Sequence, residues 1–577
     1  MYRHKWGIYK NIIVTPLIFA CRYGYESIAK YLIDHGANVN EVMDDGNTAL
    51  TVACSYNEEN KNENIIKYLI DNGADLNKKG EYININGKYR RILVTPLIIA
   101  CRYGKEKLFE YFIKHVAIIN EVMDDGNTTL IVACRFNNDN KNENIIKYLI
   151  DHGADINKKG NQYIDISGEY RKDMSVSPLI IACRYSNETI VKYLVDHGAN
   201  VNEVMEDGNT ALIVACRYNE ENKNENIIKY LIDNGADLNK KGEQYVKIYG
   251  YHQWTSATPL IIACSYGNEN IVKYLIDHGA NINEEMDDGN SALTVACGCN
   301  KDNKNENTIK YLIDHGADLN KKGKQYIKIN DCSHVTLATP LIIACSYRNE
   351  NIVKYLIDHG ANINEELDDG NTALTVACGC NEDNENENTI KYLIDHGADI
   401  NKMGNHEITI YDNNMYLRKH IIPTSPLIIA CKYGYESIVK YLVDHGANVN
   451  EVMEDDNTAL IIACAFNDNN KNDNIIKYLI DHGADVNKIG RQLVKLGKYI
   501  RVHENMITPL IIACSQGNEN IIKYLIEHGA NVNQSGYDYT KKNYRKINHN
   551  ITSPLLIARR YDHKNIIKYL IEHGAKE

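Results

Sequence analysis

The sequence has no apolar run that approaches the roughly 18 residues needed to span a membrane. Its first residues, MYRHKWGIYKNIIV, also lack the long apolar stretch of a secretory signal peptide. Because the sequence shows neither a membrane span nor a signal peptide, we expect a cytoplasmic protein, with the nucleus as the alternative compartment.

The sequence also lacks the short motifs that bring catalytic groups together. It contains no G-x-S-x-G nucleophile elbow, no phosphate-binding P-loop, no glycine-rich dinucleotide motif and no H-E-x-x-H metal motif. A nucleophile, a base and an orienting acid must converge once in a structure, and we find no sequence pattern for such a set. We therefore expect no enzymatic activity, no cofactor and no metal.

Positive charge is the scarcer sign, since 64 Lys and Arg oppose 76 Asp and Glu and give a net charge of −12. A mild acidic excess favours solubility and argues against a general nucleic-acid-binding protein. Phenylalanine and tryptophan are rare, with 5 and 2 copies, whereas tyrosine occurs 41 times. We interpret this aromatic bias as codon usage rather than as function.

Proline is scarce as well, and eight of the nine prolines belong to a recurring Thr/Ser-Pro-Leu motif. A second motif, Asn-Thr-Ala-Leu or a close variant, follows 33 residues after the first in six cases. Self-similarity at such a period indicates a repeat protein. We name the units that begin with the two motifs A units and B units, and count eight and six. Their first residues are 15, 48, 95, 128, 177, 210, 258, 291, 339, 372, 425, 458, 508 and 553.

The unit TPLIFACRYGYESIAKYLIDHG is typical of two short helices. Thr15 is a suitable cap for the first helix, and Gly24 ends it. A second, amphipathic helix follows and ends at Gly36 in the left-handed conformation, with His35 near the negative end of the helix dipole. An extended segment and a turn then lead to the next unit.

This pattern resembles the ankyrin repeat. TPLIIAC, an inter-helix Gly and IVKYLIDHGA are similar to the family pattern T-P-L-H-x-A, G and V/I-x-x-L-L-x-x-G-A, and the similarity covers essentially the whole chain. The resemblance implies an all-α repeat fold: an ankyrin-repeat solenoid of helix-turn-helix units with β-hairpin fingers, curved into a superhelical array. We expect residues 1–577 to form a single continuous domain whose stacked neighbours bury each other's apolar faces.

Several recurring or exceptional residues have an expected structural role. Thirteen of the 16 cysteines follow the Ala of the first helix, where we interpret them as core packing. The Tyr of each second helix should form a half-buried stripe between adjacent second helices. Val116 replaces the glycine that ends a second helix, so we expect an irregular end there. Asp456 replaces a turn glycine, and Arg559 replaces the core cysteine of the last repeat.

The B units carry two insertions. The turn between their helices reads NEENKNEN from Asn57, with close copies in the other B units. This segment, the B-unit loop, lacks the central Gly and the final Glu of a calcium loop, so we interpret it as a solvated loop. The finger after each B unit, and after the A unit at Thr508, is longer by roughly 10 to 16 residues. Alternating segments such as EYININGKYRRILV from Glu81 predict hairpins, which can support one another edge to edge.

The two kinds of finger differ in charge. The short fingers after A units are acidic, as in EVMDDGN from Glu41, whereas the long finger at 77–94 carries five Lys and Arg against one Glu. In one interpretation neighbouring fingers neutralise each other, since exposed ion pairs of this kind are common and weak. In the other, the fingers form a comb that binds a partner.

In ankyrin proteins the residues just after the small pair of the first helix contact partners, and here that pair is Ala-Cys. Tyrosine and arginine, which are enriched at binding hot spots, often follow it. The resemblance therefore implies a monomeric scaffold or adaptor that binds a protein partner through its concave groove and fingers. The candidate residues are Arg22, Tyr23, Arg102, Tyr103, Arg184, Tyr185, Tyr266, Tyr347 and Tyr433 at helix ends, and Tyr249, Tyr251 and Trp254 in the most aromatic finger.

Two alternative functions stay open. The basic fingers are suited to nucleic acid or another anionic ligand, whose affinity would fall steeply with salt. The acidic fingers between them argue against that reading, which makes nucleic acid an unfavoured partner. The resemblance also allows a targeting role within an enzyme complex.

Overall fold

A computed structural model describes residues 14–57, 61–83, 91–137, 140–165, 171–219, 223–248, 251–300, 304–329, 332–381, 385–411, 417–454, 456–496, 499–538 and 550–576. The chain forms two compact units, Met1–Asp287 and Asp288–Glu577, here called the N-terminal half and the C-terminal half. Each is described by itself.

Helices and hairpins alternate along the N-terminal half. Its helices are α1 Pro16–Tyr23, α2 Glu26–Asp34, α3 Ala49–Ser55, α4 Glu63–Asp71, α5 Pro96–Tyr103, α6 Glu106–Lys114, α7 Thr129–Arg135, α8 Glu143–Asp151, α9 Pro178–Arg184, α10 Glu188–Asp196, α11 Ala211–Arg217, α12 Glu225–Asp233, α13 Pro259–Tyr266 and α14 Glu269–Asp277. Its strands are β1 Gly80–Ile83, β2 Arg91–Val94, β3 Gly160–Asp165, β4 Arg171–Val176, β5 Gly242–Ile248 and β6 Tyr251–Ala257.

The C-terminal half continues the same alternation. Its helices are α15 Ala292–Gly298, α16 Glu306–Asp314, α17 Pro340–Ser346, α18 Glu350–Asp358, α19 Ala373–Gly379, α20 Glu387–Asp395, α21 Pro426–Tyr433, α22 Glu436–Asp444, α23 Ala459–Ala465, α24 Asp473–Asp481, α25 Pro509–Gln516, α26 Glu519–Glu527, α27 Pro554–Arg560 and α28 Lys564–Glu572. Its strands are β7 Gly323–Ile329, β8 Cys332–Ala338, β9 Gly404–Tyr411, β10 Leu417–Thr424, β11 Gly490–Leu496, β12 Tyr499–Ile507, β13 Gly536–Asp538 and β14 Asn550–Thr552.

The odd-numbered helices are the first helices of their repeats, and each begins directly after one of the fourteen motif residues. The Thr15 hydroxyl accepts the backbone N–H of Ile18 at 3.3 Å, which satisfies a donor that the helix leaves unpaired. In the B unit at Thr48 the cap is reciprocal, because the Thr51 hydroxyl accepts the backbone N–H of Thr48 at 2.8 Å. The motifs therefore mark the repeats because they start the helices.

The even-numbered helices are the second helices, and each buries one apolar face. The buried side chains of α4 are Ile65, Ile66, Leu69 and Ile70. Their spacing puts them on one side of a 3.6-residue helix, and each contributes about 1.5–3 kcal/mol when fully buried. On the opposite side Lys67 lies 2.8 Å from Glu63, one turn earlier.

The helix α6 ends with an altered hydrogen bond, as expected from Val116. The backbone N–H of His115 bonds the carbonyl of Phe112 at 3.1 Å, three residues back, whereas that of His152 in the next second helix bonds the carbonyl of Tyr148, four residues back. The backbone N–H of Val116 bonds the carbonyl of Ile113 at 3.2 Å, which is the bond that Gly153 makes to Ile150 at 3.1 Å. To do this Val116 adopts φ 70° with its side chain 80% exposed. A β-branched residue is strained in this left-handed region, which costs about 1–3 kcal/mol. Asp456 likewise takes φ 64° in place of a turn glycine. Its backbone N–H bonds the carbonyl of Met453 at 3.0 Å, which is the bond that Gly46 makes to Met43 at 2.9 Å.

The core lies between consecutive helix pairs, where the first helices α1, α3 and α5 contact one another in order. All thirteen cysteines of the shared position are buried there, which confirms their predicted packing role. Burial raises the pKa of Cys21 to about 12, because a thiolate would lose its hydration. In the last repeat the equivalent Arg559 is exposed.

The prediction that the B-unit loop is simply solvated is wrong for two of its asparagines. Asn57 and Asn62 are buried, and the Asn57 side-chain oxygen accepts the backbone N–H of Asn62 at 2.8 Å. The side-chain amide of Asn62 donates to two helix-end carbonyls, those of Cys21 and Ala53. These amides are committed to the backbone, so the loop ends are structural clamps between helices.

The long fingers of the N-terminal half are two-stranded antiparallel hairpins, as predicted: β1 with β2, β3 with β4, and β5 with β6. Each begins at a glycine that lies against the preceding short finger. A Cβ at Gly80 would lie 2.2 Å from the side-chain oxygen of Asn47, so only glycine fits. The Asn47 amide donates to the carbonyl of Glu81 at 3.2 Å, which fixes one finger to the next.

In the C-terminal half three long fingers join edge to edge. Strand β12 bridges β9 where Ile500 lies beside Ile410, and bridges β13 where Met506 lies beside Tyr537. The resulting sheet has the order β10-β9-β12-β13-β14, with β11 also paired to β12. The expectation that neighbouring fingers support one another is thus met here, whereas β7 and β8 form a separate pair.

Candidate partner-binding surface

The C-terminal ends of the first helices carry most of the predicted partner-binding residues. In the N-terminal half Tyr23, Tyr103 and Tyr185 are exposed by 54%, 38% and 41%, and Tyr266 is half-buried. Large aromatic rings at this level of exposure are the usual anchors of protein interfaces. The structure therefore places these tyrosines where a partner can reach them.

The arginines beside these tyrosines contact the following repeat. The guanidinium of Arg22 lies 5.0 Å from the centre of the Tyr56 ring. That of Arg102 lies 4.6 Å from Phe136, and that of Arg184 lies 5.0 Å from Tyr218. Each is a cation–π contact between an A unit and the next B unit. We call these six residues the Arg–aromatic row.

Sequence reasoning missed half of this row, because it considered only the A units. Tyr56, Phe136 and Tyr218 occupy the same position after Ala-Cys in B units, so alignment of the B units alone would have found them. The B units add two further guanidiniums. Arg135 lies 5.5 Å from the Phe136 ring, and Arg217 lies 5.5 Å from the Tyr218 ring.

In the C-terminal half the equivalent helix ends are less charged. Tyr347 and Tyr433 are half-buried, and burial raises the pKa of Tyr347 to about 12. Lys432 lies 4.9 Å from the ring of Tyr433. The residues that replace arginine at the other ends of this half include Ser346, Gly379, Ala465 and Ser515.

The structure does not bring the aromatic finger residues into one described cluster. Tyr249 lies outside the described residues, and Tyr251 is described only as the first residue of β6, paired with Ile248. Trp254 lies in β6 opposite Tyr245 and is 48% exposed. A binding anchor in this finger therefore stays a prediction.

The oppositely charged fingers pair with each other in the described residues. Lys79 of a long finger lies 2.7 Å from Glu121 of the next short finger, and its ammonium also donates to the carbonyl of Val122 at 2.8 Å. Lys241 and Glu284 repeat the ion pair at 2.6 Å. In the C-terminal half Lys322 lies 2.7 Å from Glu365. These pairs favour mutual neutralisation over a charged comb.

The second helices carry a ladder of tyrosine, histidine and acid on their outer face. The Tyr193 hydroxyl donates to Asp151 of the preceding repeat at 2.5 Å, and this bond raises the pKa of Tyr193 to about 12. The His197 ring stacks on Tyr193 at 4.1 Å and contacts its carbonyl oxygen through Nδ1 at 2.8 Å. The ammonium of Lys147 lies 5.8 Å from the centre of the Tyr193 ring. The ladder confirms the half-buried tyrosine stripe and the helix-end role of the histidines.

In the described part of the chain, no group of three or more His, Cys, Asp or Glu side chains is arranged to hold a metal ion. None of the helices given above is both long enough and apolar enough to cross a bilayer.

Helix pairs that recur about fourteen times, with hairpin fingers between them, define a tandem helical-repeat protein. The family model of ankyrin repeats (3 copies) matches residues 6–80, 83–160, 163–242, 246–323, 324–403, 408–490 and 489–577. The chain belongs to the ankyrin-repeat family, and its fold is an all-α repeat solenoid. Ankyrin repeats are general protein–protein interaction modules and are typically non-catalytic. Among curated proteins, none matched the sequence.

Proposed function

We propose that this protein is a non-catalytic scaffold or adaptor that binds a protein partner along the ends of its first helices. The observation that supports this proposal is that Tyr23, Tyr103 and Tyr185 are all exposed and that each follows an arginine in the sequence. Tyrosine supplies a large, stiff contact area at little conformational cost, and arginine adds directional donors. In ankyrin proteins the equivalent residues, just after the small pair of the first helix, contact partners, which supports the proposal.

The outer face of the repeats is a poorer candidate for the same role. There the tyrosine hydroxyls are already bonded to acids of the preceding repeat, as in Tyr193 and Asp151. The rings are also covered by their own histidines. A partner on this face would have to break contacts between repeats before it gained any.

Site-specific photo-crosslinking tests the proposal. A photoreactive phenylalanine replaces Tyr103 or Tyr185 in the groove, and Tyr31, a 61% exposed tyrosine of a second helix, serves as the matched control. We expect the same partner protein to be crosslinked from both groove positions and not from Tyr31. Crosslinking from Tyr31 alone would move the binding surface to the outer face.

Binding of anionic ligands by the basic fingers is the alternative, and the finger ion pairs of Lys79 and Lys241 disfavour it. A pull-down followed by a salt titration separates the two, because nucleic-acid binding falls steeply with salt. Recovery of an active enzyme with the protein would instead support a targeting subunit. A monomeric, cytoplasmic protein with one continuous repeat domain completes the proposal.

A further inference from the structure

We propose that Glu451, in the short finger after α22, receives the ammonium group of a lysine of the partner protein. This inference rests on the proposed function and specifies the chemistry of one contact, which a basic segment of the partner would make. It follows from a comparison of equivalent positions in the repeats. Elsewhere a lysine of the chain itself occupies the place beside this glutamate, whereas here Met403 stands at the lysine position.

Four ion pairs show what this place holds when the chain fills it itself. Directly before the glycine that begins a long finger, a lysine pairs with the glutamate of the next short finger. The pairs are Lys79 with Glu121, Lys159 with Glu203, Lys241 with Glu284 and, in the C-terminal half, Lys322 with Glu365. The ammonium of Lys322 also donates to the carbonyl of Glu366 at 2.7 Å, a bond with equivalents in two of the other pairs. The place thus binds an ammonium between a carboxylate and a backbone carbonyl.

Of the six long fingers that follow B units, two lack this lysine, and they differ in what happens to the glutamate. Where Ile489 replaces the lysine, Gln534 replaces the glutamate, and its side-chain amide donates to the carbonyl of Asn487 at 2.9 Å. Where Met403 replaces the lysine, Glu451 is kept. The fingers can therefore be built without the acid when the lysine is absent, so the fold does not explain why Glu451 carries a charge.

The surroundings of the Glu451 carboxylate do not replace the missing ammonium. Glu451 is half-buried, and its Oε2 has no hydrogen-bond partner among the described residues. The lysine next to Met403 in the sequence, Lys402, pairs with Glu366 at 2.8 Å instead. Burial, and after it the charge of Asp399, raise the pKa of Glu451, and the Ser425 hydroxyl opposes this in part. A half-buried carboxylate with an oxygen that lacks a donor is unfavourable, and a cation from outside the chain relieves that cost.

A side chain from a partner can reach this place. The lysines of the four pairs are 29–34% exposed, so the place that they fill lies at the surface. Val452, whose carbonyl corresponds to that of Glu366, is 39% exposed. Met403 is half-buried and unbranched, and such a side chain can change its rotamer to admit another. A lysine fits better than an arginine, because its compact ammonium on a flexible stem reaches two separate acceptors and the chain itself uses lysine in all four pairs.

Binding of a short fluorescent oligolysine to the full-length protein, followed by fluorescence anisotropy at low salt, tests the inference. Glu451→Gln installs the residue that the chain has at Gln534 and should weaken binding about threefold to fivefold, as expected for the loss of one charge pair. Glu365→Gln is the matched control. It changes the net charge equally, but its carboxylate is already paired with Lys322, so the affinity should stay unchanged.

Met403→Lys gives the chain its own lysine at this place. The new ammonium should pair with Glu451 as Lys322 pairs with Glu365, raise the melting temperature and weaken oligolysine binding as much as Glu451→Gln does. Ile489→Lys, which adds the same charge opposite the neutral Gln534, should leave binding unchanged. A merely structural role of Glu451 would move the melting temperature of these variants and leave oligolysine binding as it was.

Each other outcome contradicts the inference. Equal binding of the acetylated, uncharged peptide would show that the ammonium is not recognised. Saturable binding of calcium chloride alone, lost in Glu451→Gln, would make the place a metal site. No binding of oligolysine, or binding that Glu451→Gln and Met403→Lys leave intact, also overturns it. If a partner still crosslinks from Tyr103 and Tyr185 in that case, the proposed function stands and only the lysine contact fails. An unchanged circular dichroism spectrum of the variants shows that the fold is intact.

Discussion

The side-chain amide of Asn62 donates a hydrogen bond to the carbonyl oxygen of Cys21, 41 residues earlier and in the preceding repeat, over 2.9 Å. The same amide reaches the carbonyl of Ala53 in its own repeat at 3.1 Å. One buried side chain thus ties the ends of two consecutive first helices, whose last carbonyls have no partner within the helix.

Replacement of Asn62 by alanine should lower the free energy of unfolding by about 1–3 kcal/mol, because two helix-end carbonyls and the backbone lose a buried partner. Urea unfolding followed by circular dichroism measures the change. The exposed Asn64, whose side-chain amide donates to the Glu26 carboxylate at 3.1 Å, is the control. Asn64→Ala should change stability by less than about 0.5 kcal/mol. Equal effects of the two substitutions would mean that the clamp contributes nothing.

Relief of backbone strain at Val116 should stabilise the protein. Val116→Gly removes a left-handed penalty of about 1–3 kcal/mol and costs about 0.5–1 kcal/mol in chain entropy, so a net gain of about 1 kcal/mol is expected. The reciprocal change, Gly153→Val, tests the same strain in the next repeat. Gly153 has φ 85°, and no neighbouring atom lies within 4 Å of the position that a Cβ would take. Backbone strain alone, without a steric clash, should therefore destabilise that variant. A loss of stability in Val116→Gly, measured by thermal melting, would contradict the argument.

The sequence motifs predicted the repeats well because their cause is local. A hydroxyl at Thr15 or Thr48 caps the next turn of helix whatever the rest of the chain does. The Arg–aromatic row could not be predicted in this way, since Arg22 meets Tyr56 only after two repeats have stacked. The buried role of Asn62 was hidden for a similar reason, because a polar loop composition does not show which amide turns inward.

Alkaline pH should destabilise the repeat stack through its tyrosine ladder. Hydrogen bonds to acids of the preceding repeat raise the pKa of Tyr193 and of Tyr274 to about 12, above the ordinary value near 10. Because the folded state holds these protons more tightly, their contribution to stability is complete below about pH 10 and is lost as the pH rises towards about 12. The free energy of unfolding, measured with denaturant at about pH 9, 10 and 11, reports this loss.

Tyr193→Phe provides the control for that prediction. This variant keeps the ring stacked on His197 but removes the hydroxyl that titrates, so its stability should fall less between about pH 9 and 11 than that of the unchanged protein. A parallel fall in both proteins would assign the alkaline loss to other groups. The absorbance of tyrosinate, followed in the folded and the denatured protein, reports the pKa difference directly.

The ion pair between Lys79 and Glu121 should stabilise the neighbouring fingers only modestly. Its side chains are 29% and 23% exposed, and the two charged atoms lie 2.7 Å apart. A double-mutant cycle with Lys79→Ala and Glu121→Ala should give a coupling energy of about 0.2–1 kcal/mol that shrinks in high salt. Because the Lys79 ammonium also donates to the Val122 carbonyl, Lys79→Ala should cost more than Glu121→Ala. Equal single-mutant costs and a coupling that salt leaves unchanged would show that the fingers are not joined by this charge pair.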